Sequence, residues 1–158
     1  MAQANVARAA FLMADYGHDP TETAVPFKHF TDCGYGFAID FVTEKGAVPG
    51  CDKKMLEGYT QKLLGADQSA IQAYNEMSES KRWQNPLSWS DSSFTLKDYD
   101  LVFLPGGHES SVRQILDSTR VHELLAEYFP LTKKPGKKSL AAICHGVQVL
   151  AHTNDSDG

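Results

Sequence analysis

Three short apolar runs, each stopping abruptly at glycine, proline or polar residues, constrain this chain more than any other feature. Residues 6–13 run into Asp15-Tyr16-Gly17-His18, residues 101–104 into Pro105-Gly106-Gly107, and residues 139–143 into Cys144-His145-Gly146. Runs of this length bounded by turn formers read as strands buried on both faces. Between them the pattern turns helical. Asp19-Pro20 reads as a cap followed by proline in the first turn, opening a helix to about Cys33, with Gly34 as terminator. Pro26 inside that segment predicts a kink or a later helix start. Residues 37–43 alternate as a second strand, and residues 46–52 form a turn-rich loop.

Residues 53–82 are helical in composition, with Leu56, Leu63, Leu64, Ile71, Tyr74 and Met77 at the apolar positions and Gly65 splitting the stretch in two. Residues 83–97 are irregular, yet Leu87, Trp89 and Phe94 are too apolar for a free linker. They predict a packed excursion over the sheet. A helix follows the 101–104 strand through about Tyr128, carried by Val112, Ile115, Leu116, Val121, Leu124 and Leu125. Residues 133–138 form a basic loop, and residues 145–151 start a last helix. Alternating strand and helix specify an α/β fold: a doubly wound, mostly parallel sheet in a three-layer α/β/α sandwich. Ligands of such sheets bind beyond the carboxyl ends of the strands. The polar clusters at 15–22, 105–110 and 144–145 all fall there.

The totals exclude several classes. A chain of 158 residues is about one domain. Its 15 basic and 20 acidic residues give −5, which argues against nucleic acid or an anionic membrane as partner. No apolar run approaches the roughly 20 residues of a membrane helix, and the first ten residues do not resemble a secretory signal. Three scattered cysteines, Cys33, Cys51 and Cys144, are too few for a disulfide framework, so a cytoplasmic, reducing setting is expected.

Cys144 is the candidate nucleophile. Ala142 and Gly146, two residues to either side, supply the small side chains that a tight strand-to-helix elbow needs. The start of a helix favours the thiolate through its free N–H groups. His145 is placed to take the thiol proton or to move a proton on a substrate. Gly106 and Gly107 form either an oxyanion site of backbone N–H groups or simply a tight turn. Glu109 with Ser110 and Ser111 reads as a helix cap. Glu22 reads equally as a helix first-turn acid or as a protonated carboxyl donating a hydrogen bond to sulfur. His29 and Cys33 lie four apart on one helix face without a third ligand, so no metal site is expected. Cys51 lacks a visible activating partner.

Together these residues resemble the ThiJ/PfpI superfamily, whose fold is like that of class I glutamine amidotransferases and flavodoxin. The resemblance rests on Glu22-Thr23-Ala24-Val25-Pro26, Thr43-Glu44-Lys45-Gly46, Phe103-Leu104-Pro105-Gly106-Gly107-His108 and Ala141-Ala142-Ile143-Cys144-His145-Gly146. It implies Cys144 as nucleophile, Glu22 as the acid bonded to it, and backbone at Gly106 and Gly107 lining the oxyanion site, with His18 and His108 beside the substrate. The Cys-His pair and the long 53–94 stretch look most like the heat-shock chaperone branch, which is associated with glutathione-independent glyoxalase activity. That implies conversion of methylglyoxal to lactate through a hemithioacetal on Cys144, with no cofactor or metal. The partners expected are a small carbonyl substrate and a second copy in a homodimer. Other cysteine-dependent hydrolases, hydratases or lyases, and a non-enzymatic chaperone or redox sensor, are the competing readings. The family places an acid well downstream of the Cys-His pair, whereas here only Asp155 and Asp157 follow. The expectation is a single ThiJ/PfpI-like domain over residues 1–158 that lacks its C-terminal portion and is completed by a separate segment.

Overall fold

The computed structural model describes residues 6–34, 36–58, 62 and 65–154. At its centre is β1 (Ala7–Leu12), flanked by β3 (Phe37–Thr43) and β6 (Leu101–Leu104). Outside these lie β5 (Leu87–Ser88) and β7 (Ser139–Ala142), giving the order β5-β3-β1-β6-β7 with every pairing parallel. The doubly wound α/β sheet expected from the strand–helix alternation is the one observed.

The period-two geometry of β1 explains the three layers. Ala10, Leu12 and Ala14 enter one core with Val112, Leu116, Val121, Leu125 and Val149. Ala9, Phe11 and Met13 enter the other with Ala24, Phe41, Met77 and Trp83. The second core is covered by α1 (Pro20–Asp32), α2 (Gln68–Ser78) and α3 (Lys81–Gln84). The first is covered by α4 (Arg113–Leu116), α5 (Thr119–Tyr128) and α6 (Gly146–Ala151).

Several local expectations are corrected. Pro26 lies inside α1 without displacing its start, because Asp19 already caps the helix by accepting from the N–H of Thr21 and Glu22. The helix expected from 108 to 128 is broken: a 3-10 turn at Ser110–Val112 leads into α4, and the Ser118 hydroxyl caps α5 anew. Glu109 is the residue that caps the 3-10 turn. In the 83–97 excursion Trp89 is buried as expected, but Leu87 is exposed on β5. The loop at 46–52 and the segment after β1 form an unanticipated two-stranded parallel sheet, β2 (Tyr16–His18) with β4 (Gly50–Cys51). Of the helix expected before Gly65, Lys53–Met55 form a 3-10 turn capped by the Asp52 side chain, and Leu63 and Leu64 lie outside the described residues.

Two further findings bear on the whole sheet. Asp40, an acid within β3, is 3% exposed. Its carboxylate accepts from Arg8 (3.0 Å), from Tyr99 (3.1 Å) and from Arg82, so the buried charge is paired from three sides. The elbow strand, expected to be buried, is half-exposed instead: among the described residues β7 pairs on one side only, with β6. Ile143 and Val147, on either side of the elbow, are likewise exposed.

Candidate active site

The site is assembled where β1, β6 and β7 end. Ile143 N–H still donates to Leu104 O at 3.1 Å, and the chain then turns sharply at Cys144. Cys144 adopts φ 52, the one non-glycine residue with positive φ among those described. A left-handed cysteine between strand and helix is backbone strain at a single position, and such strain persists where the surroundings over-determine it. The surroundings here are backbone. A Cβ at Gly146 would lie 2.2 Å from Leu104 O, so α6 can begin this close to β6 only with glycine there.

Gly106 has an equally specific role. A Cβ on it would meet Cys144 Cβ at 2.7 Å, Glu22 Oε2 at 2.7 Å and His145 N at 2.8 Å. Only glycine leaves this space open, and a side chain there would collide with Cys144, the Glu22 carboxyl and the His145 backbone. Its carbonyl accepts from Asp19 N–H at 2.9 Å, tying the start of α1 to the turn after β6. Glu22 sits in the first turn of α1 and also faces Cys144.

The histidines divide. His145 Nδ1 lies 3.3 Å from Cys144 Sγ, and His108 Nε2 lies 3.9 Å from the same sulfur. The two rings meet edge to face at 5.0 Å. His18 is placed elsewhere: its ring is 1% exposed and packs against Trp83 at 5.5 Å and Tyr74 at 6.0 Å. Burial lowers its pKa to about 3, which keeps it neutral. Only its backbone borders the site, beside Gly107.

The electrostatics correct one expectation. The Cys144 thiol is not lowered by its position; burial pushes its pKa up, and the charge of Glu22 adds to that. Hydrogen bonding from the backbone at His145 and Gly107 pulls the other way. The Glu22 carboxyl is also raised, first by burial and then by the charge of Asp19, against smaller lowering contributions from Cys144, His108 and Gly106. Its Oε2 is buried without a hydrogen bond of full geometry. Each of the two acids thus holds its own proton more tightly than an isolated group would.

Sequence reasoning missed Gln114. Its amide donates to Asp15 at 2.9 Å and to Glu44 at 2.7 Å, and its carbonyl accepts from Asp15 N–H at 2.7 Å. It pins the loops after β1 and β3 to the start of α4. A glutamine on a helix gives no signal of such a bridge. Cys33, Cys51 and Cys144 are all free thiols.

A parallel, doubly wound α/β sheet with a cysteine at a strand-to-helix elbow, beside a histidine and an acid, places the chain in the flavodoxin-like class of α/β proteins. Within that class the chain belongs to the family described as ThiJ/PfpI family-like, whose model matches residues 13–157. An uncharacterised protein of Schizosaccharomyces pombe is 33% identical over 140 residues, which is 88% of this chain and 52% of that protein. A second uncharacterised protein of the same yeast is 27% identical over 123 residues, 75% of this chain and 39% of that one. The chain thus spans about half the length, or less, of these curated relatives. Among solved structures, the Francisella tularensis Rapid Encystment Protein superposes with TM-score 0.62 at 22% identity, covering 96% of this chain and 64% of that one. A DJ-1 superfamily protein of Agrobacterium tumefaciens gives 0.53 at 15% identity, covering 93% and 58%. These likenesses establish the fold.

Proposed function

We propose that the chain carries the reactive site of a cysteine-dependent enzyme that converts methylglyoxal to lactate without glutathione, as in the heat-shock branch of the superfamily. The observation that carries this reading is Cys144 at φ 52 with His145 Nδ1 3.3 Å from its sulfur and the Glu22 carboxyl beside it. The Cys144 thiol passes its proton to His145 Nδ1, 3.3 Å away, and the sulfur attacks the aldehyde carbon. A C–S bond forms, and the aldehyde oxygen takes that proton back from His145 to give the hemithioacetal, leaving His145 free to act as a base. N–H groups at Gly107 and His145, already directed at the sulfur, are positioned to stabilise charge on that oxygen.

His145 then removes the proton from the former aldehyde carbon and returns one to the neighbouring carbon, leaving a thioester of lactate on Cys144. Water cleaves the C–S bond and restores the thiol, so one methylglyoxal and one water give one lactate. Every step is proton transfer or carbonyl addition by groups of this chain. The three free thiols fit a reducing, cytoplasmic setting. The test is lactate formation from methylglyoxal by the purified chain in glutathione-free buffer. Absence of turnover by folded protein contradicts the reading.

A further inference from the structure

We propose that His108, Cys144 and His145 form a zinc site that overlaps the nucleophile. One ligand atom from each of the three lies within 4.8 Å of the others. In a tetrahedral zinc complex, with bonds of about 2.3 Å to sulfur and about 2.0–2.1 Å to nitrogen, each sulfur–nitrogen edge is roughly 3.6 Å. The two edges here, 3.3 Å to His145 Nδ1 and 3.9 Å to His108 Nε2, bracket that value. The nitrogen–nitrogen edge must close to roughly 3.3 Å, and His108, exposed on the loop after β6, has the freedom to close it by rotating its ring.

The second histidine is what separates this arrangement from a catalytic pair. One base beside the sulfur is enough for proton transfer, and His145 supplies it. His108 comes from a segment 36 residues earlier in the chain and completes a third corner that the proposed chemistry does not use. A thiolate and two imidazoles suit zinc or another soft cation and disfavour magnesium or calcium. Three protein ligands leave a fourth position for water, as in open zinc sites. On binding, the Cys144 S–H bond breaks, its proton leaves to solvent, and a sulfur–metal bond forms without change of oxidation state. The metal then holds the lone pair that attack on a carbonyl requires. Zinc occupancy is a reversible block on the nucleophile, and this holds whatever carbonyl or acyl compound the nucleophile serves.

Cobalt(II), a spectroscopic substitute for zinc, tests the proposal on the full chain, freshly reduced and freed of chelator. One equivalent is expected to give a thiolate-to-cobalt charge-transfer band with the intense visible bands of tetrahedral coordination, and zinc is expected to bleach both. Cys144→Ser should abolish the charge-transfer band although Cys33 and Cys51 remain. His108→Ala should weaken binding at least about tenfold, since loss of even an outer-shell partner costs that much. Folding of each variant is checked by circular dichroism, and His108→Gln serves as a second variant at that position. A weak octahedral spectrum, or tetrahedral binding unchanged in the Cys144 and His108 variants, would overturn the proposal. Turnover of methylglyoxal is measured separately with chelator present, so failure of the metal site and failure of the proposed activity are read independently.

Discussion

Glu22 and Cys144 are neighbouring acids that both hold their protons more tightly than usual, so the protonation of one bears on the other. While Glu22 is ionised its charge raises the thiol; once protonated it becomes a donor to the thiolate. Replacing Glu22 by leucine distinguishes the two states. If the carboxyl holds the proton, Glu22→Leu removes the donor and the thiolate absorbance at neutral pH falls. A rise in thiolate absorbance would mean that Glu22 is only a repelling anion. The raised Glu22 carboxyl also fixes the sign of a stability change. The folded state keeps this proton above the ordinary carboxylate value of 4.5, where the unfolded chain has released it. Glu22 therefore contributes stability at low pH that is lost as pH rises through its folded pKa. Glu22→Gln has no such dependence, so urea midpoints should show the wild type losing ground to Glu22→Gln as pH rises from about 4.5. Parallel pH profiles for the two proteins would contradict the assignment.

At the level of elements, the turn after β6 and the elbow after β7 are backbone against backbone, and this is why they could be read from sequence. Glycine at 106, 107 and 146 and alanine at 142 are the residues that close approach permits, so the constraint is written in the residue types themselves. Gly146→Ala tests it. The added Cβ would sit 2.2 Å from Leu104 O, so α6 must move away from β6, at a cost of about 1–3 kcal/mol read from urea unfolding. Labelling of Cys144 by iodoacetamide should change with it. An unchanged midpoint would show that the elbow yields without strain. Other elements left no such trace. β2 and β4, of three and two residues, are too short to carry a period. Asp40 has the look of a solvent-facing position in an alternating strand, and is buried because Arg8, Arg82 and Tyr99 converge on it from distant parts of the chain. His18 stands where a strand delivers polar groups to a site, but its ring turns toward Trp83 and Tyr74. Contacts between remote residues set these outcomes, and no local pattern records them.

Over the whole molecule, the alternation of apolar strands with amphipathic helices was enough to define the sheet, because β1, β3 and β6 must be covered on both faces. The position of β7 was less legible. A short run at 139–143 looks the same whether it is central or bordering, and here it borders the described sheet. The fold nonetheless brings Cys144, His145, His108 and Glu22 together from three segments, at the strand ends where ligands of this architecture bind. The most direct test of the role given to Cys144 is glutathione-free conversion of methylglyoxal to lactate by the wild type and by Cys144→Ser, side by side. The wild type should turn over, and Cys144→Ser should lose at least about a thousandfold in kcat, as removal of a nucleophile does. Equal rates from the two proteins would show that Cys144 is not the nucleophile.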